Sequence, residues 1–227
     1  MLFYVDGKKE RYNPYNMKKD KKIGEGQEVD AYVVGDQVVK FYKPYCKKTR
    51  LSLNAIERLK KISTSRILLP TASMLDKKRN LRGYKMDYVE NLGEESFLLL
   101  PKEERKEELK KLKEDVLNLS DNGVILEDLH QLNTVYHNGI YFIDPGSYKF
   151  VKDDTLTEND KIQCYGINID RINEFLISSL SHFSLVKHTN MTNSYLKSEK
   201  DNMIDYLFDR EENTLKDYVD NMSKKRW

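Results

Sequence analysis

The chain has 227 residues, of which 39% are hydrophobic and 33% are charged, a balance typical of folded globular proteins. Its net charge of +2 gives no indication of nucleic-acid binding. No apolar run approaches the roughly 18 residues that indicate a membrane span, and Cys46 and Cys164 suit neither a disulfide framework nor a zinc site. We expect one large domain or two small lobes, in the reducing cytoplasm and away from membranes.

The first third of the chain has the pattern of a β-sheet that carries one helix. Residues 29–42 form two β-rich runs separated by a Gly-Asp pair, which predicts a hairpin. Apolar residues at helical spacing predict a helix over residues 51–62, and residues 66–75 and 81–89 read as two further strands. The segment is therefore predicted to be a compact α+β unit.

The remainder of the chain is predicted to be mainly helical. Residues 104–120, 171–183 and 201–222 each place apolar side chains on one stripe and charges elsewhere. Residues 125–147, between the first two of these helices, follow neither the helical nor the strand period. A sheet-rich part followed by a helical part favours a ligand cleft between them.

A second hairpin is predicted within residues 125–147, where the dipeptide at 138–139 is Asn-Gly, the pair best suited to a two-residue turn. Such a turn would set Asn133 opposite Asp144, with Cβ atoms roughly 5 Å apart. A carboxylate and an amide oxygen at that separation can share one Mg²⁺ ion. Asp128, five residues before Asn133, is then a candidate to orient a nucleophile or accept its proton.

Upstream, glycines and a lysine suggest contacts with phosphate. Gly24 and Gly26 lie between two strand-like runs, where glycine lets backbone N–H groups approach phosphate oxygens. Lys40 lies within an apolar strand and requires an anion, and Glu57 on the following helix is a candidate to hold it.

Taken singly, these residues also have structural explanations. Gly24 and Gly26 suit an ordinary turn, and Lys40 suits an edge strand that must avoid aggregation. Glu57 could pair with Lys61 on the helix surface. The functional interpretation therefore depends on the order in which the residues occur together.

That order resembles the protein-kinase-like fold. The resemblance extends from about Lys22 to Lys149 and implies a two-lobed α+β architecture. Its N-terminal lobe, residues 1–87, would be an antiparallel sheet with one helix, and its C-terminal lobe, residues 88–227, would be reduced and mainly helical. The motifs that carry the resemblance are Gly24-x-Gly26, Lys40, Glu57, the Asp128-to-Asn133 spacing and Asp144-x-Gly146.

The resemblance implies a site for ATP. Gly24 and Gly26 would cover its phosphates. The segment after the last strand of the sheet looks like the kinase hinge, with Met86 as gatekeeper. The backbone of Asp87 and Val89 would then hydrogen-bond adenine.

The resemblance also implies roles for the charged residues. Lys40, held by Glu57, would contact the α- and β-phosphates. Asp128 would be the catalytic aspartate, and Asn133 and Asp144 would bind Mg²⁺.

Several residues depart from the pattern of protein kinases. Val29 replaces the third glycine, and Glu127 stands where the arginine of His-Arg-Asp is usual. The catalytic segment DLHQLN, with His130 as a residue that orients the loop, resembles the aminoglycoside and choline phosphotransferases. Pro145 replaces the phenylalanine of Asp-Phe-Gly, and no Ala-Pro-Glu follows.

The sequence thus predicts an ATP- and Mg²⁺-dependent kinase, with serine/threonine protein kinase as the first interpretation. The small C-terminal part favours a protein acceptor, whereas DLHQLN and the missing Ala-Pro-Glu favour a small-molecule hydroxyl. An ATP-binding pseudokinase that acts as an interaction module is the third interpretation.

Overall fold

The computed structural model describes residues 2–12, 22–26, 28–44, 51–151 and 156–186. Its main feature is a seven-stranded antiparallel sheet in the order β2-β1-β6-β7-β5-β4-β3. The strands are β1 (Leu2–Val5), β2 (Lys8–Arg11), β3 (Lys22–Glu25), β4 (Val29–Val34), β5 (Gln37–Tyr42), β6 (Pro70–Leu75) and β7 (Leu81–Asp87).

The four α-helices of the described part are α1 (Leu53–Leu59), α2 (Glu95–Leu98), α3 (Lys102–Asp121) and α4 (Glu158–Val186). Four short strands form two further ladders: β8 (Val124–Ile125) with β11 (Lys149–Phe150), and β9 (Thr134–Tyr136) with β10 (Ile140–Phe142). The chain is therefore α+β, as the sequence predicts. Within the described residues, no helix combines the length and apolar character that a membrane span requires.

Most predicted elements of the sheet and of α3 form where the sequence indicates. Val34 pairs with Gln37 across a two-residue turn in which Gly35 has a φ of +65°, a conformation that glycine adopts at low cost. The predicted helix at 51–62 is shorter, because Ser52 caps α1 through the backbone N–H of Ala55. The predicted helix at 201–222 and Cys46 lie outside the described residues.

The N-terminal hairpin β1–β2 was not among the predicted elements. Asp6 and Gly7 form its turn, with φ of +45° and +83°, as a type I′ turn requires. Its strands extend the sheet beyond β6 and bring Phe3 and Val5 onto one face. A second hydrophobic core forms there from Phe3, Val5, Tyr32, Val39, Phe41, Ala72 and Met74.

The main core contains Val38, Met86 and residues of α1, α3 and α4. Side chains alternate across a strand, so Val38 and Lys40 share one face of β5, whereas Val39 and Phe41 lie in the second core. The buried face of α4 includes Cys164, a free cysteine.

A buried carboxylate on α3 fixes the segment between α1 and β6. Asp115 accepts hydrogen bonds from the backbone N–H groups of Ser65 (2.8 Å) and Ile67 (2.9 Å), and from that of Arg66. Burial raises the pKa of Asp115, and the three backbone donors oppose that rise. Phe142 of β10 then pairs with this segment by donating to the Arg66 carbonyl at 2.9 Å. Asp115 therefore supports β10 indirectly.

We expect Asp115→Ala to lower the free energy of unfolding by about 3 kcal/mol, because buried backbone donors lose their acceptor. Chemical denaturation measures the change, and Glu114→Ala, at an exposed neighbouring position, is the matched control. Equal, small effects of the two substitutions would contradict the anchoring role of Asp115.

Candidate functional site

Lys40 is the central cation of the site. It lies on β5, an interior strand between β4 and β7, and is only 8% exposed. Its Nζ donates to the carbonyl of Ile143 at 2.8 Å and to Oδ1 of Asp144 at 3.0 Å. The ammonium also lies 5.6 Å from the centroid of the Tyr84 ring, within the range of a cation–π contact. The position of β5 excludes the edge-strand explanation of Lys40.

Glu57 is not the residue that holds Lys40 in this structure. Its side chain is 44% exposed and lies 3.1 Å from Nζ of Lys60, which also contacts Asp6 at 2.9 Å. Ile56 and Leu59 are the buried residues of α1, whereas Glu57 is partly exposed and pairs along the same helix with Lys60. The expected Lys40–Glu57 pair is therefore replaced by Lys40–Asp144.

The register of the β9–β10 hairpin differs by one residue from the prediction. Tyr136 pairs with Ile140, so the loop has three residues rather than two. Asn138 takes the left-handed conformation with φ of +51°, which asparagine tolerates. Asn133 consequently lies opposite Ile143, whose N–H donates to the Asn133 carbonyl at 3.0 Å.

Gly139 has a packing role in this loop. A Cβ atom there would lie 2.6 Å from Oε2 of Glu108 and 3.0 Å from Nε of Arg66, and these two side chains form a largely buried ion pair. Glycine thus lets the loop approach this ion pair closely, and the Asn-Gly dipeptide indicated the hairpin but not its register.

Asn133 and Asp128 form a compact polar group. Nδ2 of Asn133 donates to the carbonyl of Asp128 at 3.0 Å and to its Oδ2 at 3.2 Å. Oδ1 of Asn133 makes no hydrogen bond within the described residues. Asp128 is 56% exposed and has a φ of +59°, a strained conformation that its surroundings must hold.

His130 lies beside both Asn133 and the carboxylate of Asp128. Its Nδ1 accepts from the backbone N–H of Leu132 at 3.2 Å. Its Nε2 lies 2.9 Å from Nδ2 of Asn133 and 3.4 Å from Oδ1 of Asp128. The predicted role of His130 in orienting the loop agrees with these contacts.

Asp144 keeps one oxygen free of protein hydrogen bonds. Its Oδ1 accepts from Lys40 and, at 3.3 Å, from the N–H of Gly146, while Oδ2 has no hydrogen-bond partner among the described residues. The side chain is 38% exposed. Burial and the charge of Asp144 raise the pKa of both Tyr84 and Tyr148, so the surroundings of Asp144 carry neutral phenols.

The two expected phosphate-loop glycines border the turn between β3 and β4. Gly26 donates its N–H to the Val29 carbonyl at 2.9 Å. Neither Gly24 nor Gly26 has a positive φ, and a Cβ at Gly24 would meet Ala31 at an ordinary 3.7 Å. A Cβ at Gly26 would lie 3.4 Å from the carbonyl oxygen of Val29, so close approach favours glycine at position 26, whereas local geometry does not explain the glycine at position 24.

The expected hinge follows the strand next to Lys40. Met86 is buried opposite Val38, and Asp87 is the last residue of β7. The backbone N–H of Val89 has no hydrogen-bond acceptor in the described part of the chain. Because Met86 pairs with Val38, which shares a face of β5 with Lys40, Met86 and Lys40 lie on the same face of the sheet.

A buried asparagine that the sequence analysis missed holds the segment before Asp128. Oδ1 of Asn168 accepts from the N–H of Leu126 at 2.7 Å, and its Nδ2 donates to the Val124 carbonyl at 2.9 Å. Asn168 lies on the apolar face of α4 between Tyr165 and Ile172. A polar residue within an apolar stripe is the feature of the sequence that could have indicated its role.

Comparisons with known proteins assign no family to the chain. No protein-family model matches the sequence, and a search of curated proteins finds no match. Among the described residues, no three His, Cys, Asp or Glu side chains converge as a metal site, so the expected site depends on Asn133 together with Asp144.

Gly83 allows β7 to approach β5 at Lys40. A Cβ at this position would lie 1.9 Å from the carbonyl oxygen of Lys40. We expect Gly83→Ala to displace β5 and to lower the free energy of unfolding by about 2 kcal/mol. Gly166→Ala on α4, where a Cβ meets no atom within 4 Å, is the control and should be neutral or stabilising. Equal stabilities of the two variants would contradict this packing.

Proposed function

We propose that the chain has the two-lobed protein-kinase-like fold and transfers the γ-phosphoryl group of ATP to a hydroxyl, with Mg²⁺ as cofactor. One observation carries the proposal: Lys40 of the sheet contacts Asp144 at 3.0 Å, next to the segment that carries Asp128 and Asn133. A buried lysine beside several oxygen ligands suits a polyphosphate and its metal ion.

The donor atoms fit magnesium. Asn133 retains Oδ1 and Asp144 retains Oδ2, and both are hard oxygen ligands of the kind that Mg²⁺ binds together with water. Mg²⁺ bound there would neutralise negative charge on the phosphate oxygens.

The residues of this chain would then divide the work of the reaction. Lys40 binds the α- and β-phosphates through its ammonium. Asp128, steadied by Asn133 and His130, orients the acceptor hydroxyl and takes its proton. The Lys40–Asp144 contact supports these roles, and Asp144 takes the place expected for Glu57 as the partner of Lys40.

Nucleotide contacts complete the proposal. Gly24 and Gly26 would lie beside the phosphates, and neither has a positive φ that would itself require glycine. Met86 would flank adenine, and the free N–H of Val89 and the carbonyl of Asp87 would hydrogen-bond it.

For the acceptor, we propose a serine or threonine hydroxyl of a protein. A small-molecule hydroxyl is the second candidate, because Asp128 and His130 belong to the DLHQLN segment that resembles small-molecule phosphotransferases. Labelled γ-phosphate recovered on protein would support the first acceptor, and label recovered in the low-molecular-weight fraction would support the second. Mg²⁺-dependent ATP binding without any transfer would instead indicate a pseudokinase.

We expect Asp144→Ala to abolish transfer, because the substitution removes both the metal ligand and the partner of Lys40. Transfer from labelled ATP measures this, and Asp170→Ala at an exposed position of α4 is the control. Unchanged transfer in Asp144→Ala would contradict the metal assignment.

A further inference from the structure

Glu127 joins three segments around the candidate catalytic loop. Its carboxylate is 22% exposed and lies 2.6 Å from Nζ of Lys149 on β11 and 3.2 Å from Nη2 of Arg171 on α4. Arg171 also donates through Nη1 to the carbonyl of Leu126. One guanidinium thus binds the two residues that precede Asp128.

The neighbouring backbone needs such support. Asp128 follows Glu127 directly and has a φ of +59°, a conformation that costs about 1 kcal/mol or more and persists only where other contacts hold it. Asn133 binds Asp128 from the C-terminal side of the loop. On the N-terminal side, Asn168 and Arg171 bind the backbone of Leu126, and Glu127 contributes its ion pairs with Lys149 and Arg171.

The same carboxylate reaches the chain that follows Asp144. Lys149 pairs with Ile125 in the β8–β11 ladder and lies five residues after Asp144 in the sequence. Glu127 therefore precedes Asp128 directly in the chain, and its ion pair with Lys149 binds the segment that follows Asp144.

The charges keep this connection formed near neutral pH. The hydrogen bond from Lys149, and the positive charges of Lys149 and Arg171, lower the pKa of Glu127 although partial burial opposes this. An isolated surface ion pair contributes little. Here Arg171 is a second cation beside Glu127 and also binds the carbonyl of Leu126. Networks of this kind fix side-chain geometry better than single ion pairs do.

We propose that Glu127 is a positioning residue that holds Asp128 in place and ties the chain after Asp144 to the loop by fixed charges. The proposal rests on the proposed function. Activation segments of protein kinases are commonly ordered when a phosphate pairs with arginine. Glu127 is negative where arginine is usual, and it pairs with the positive Lys149. The link between the loop and the chain after Asp144 therefore requires no phosphate.

The test compares wild type, Glu127→Ala and Glu127→Gln in steady-state kinetics. We expect Glu127→Ala to lower kcat by about 10- to 100-fold, the effect of a misplaced catalytic group, with the KM for ATP unchanged. Glu127→Gln keeps an acceptor oxygen but no charge, and its kcat should lie between those of wild type and Glu127→Ala. Glu158→Ala breaks an ion pair with Lys161 within α4 (2.9 Å) and is the control. An unchanged kcat in Glu127→Ala would overturn the proposal.

Hydrogen exchange supplies a readout that is independent of activity and also monitors folding. We expect Glu127→Ala to speed amide exchange in residues 124–133 and 147–151 and to leave β4–β5 unchanged. Unchanged exchange in those two segments would overturn the proposal. If the wild type transfers no phosphate, the proposed function fails, and exchange alone decides whether Glu127 holds the loop.

Phosphatase treatment tests the claim that fixed charges suffice. Wild-type protein, stripped of any phosphate and verified by intact mass, should retain its kcat. Loss of activity on that treatment would overturn the phosphate-independent connection.

Discussion

The ammonium of Lys40, held between the carbonyl of Ile143 and the carboxylate of Asp144, is the interaction on which the candidate site depends. A buried cation must be compensated within the protein, so β5 and the end of β10 are kept together. Asp115 also supports β10, because it fixes the segment that contains Arg66 and Ile67, and this segment pairs with Phe142 of β10. The position of Asp144 is therefore determined by both the sheet and α3.

The segment that carries Asp128 is restrained in a comparable way, from several directions. Asn133 donates to the Asp128 carboxylate, and the His130 ring lies beside both residues. Arg171 and Asn168 of α4 bind the backbone just before it. A left-handed conformation is uncommon for residues other than glycine, and strained residues held by such contacts are concentrated at functional sites.

Local signals in the sequence predicted the elements, and long-range contacts decided how they meet. The β4–β5 hairpin and α3 depend on turn chemistry and periodicity, which a short window contains. The partner of Lys40 could not be read this way, because the orientation of Glu57 depends on how Ile56 and Leu59 pack. The three-residue β9–β10 loop likewise places Gly139 against side chains that are distant in sequence, and a short window does not contain such contacts. Asp144 and Asn133 were expected near each other and belong to neighbouring chain segments, although not in the predicted register.

The most direct test of the account is the affinity for ATP measured by calorimetry with and without Mg²⁺. Wild-type protein should bind ATP more tightly when Mg²⁺ is present, because Asp144 and Asn133 would share the ion with the phosphates. Asp144→Asn should lose that enhancement. An ATP affinity of the wild type that does not change with Mg²⁺, or an absence of ATP binding, would contradict the account.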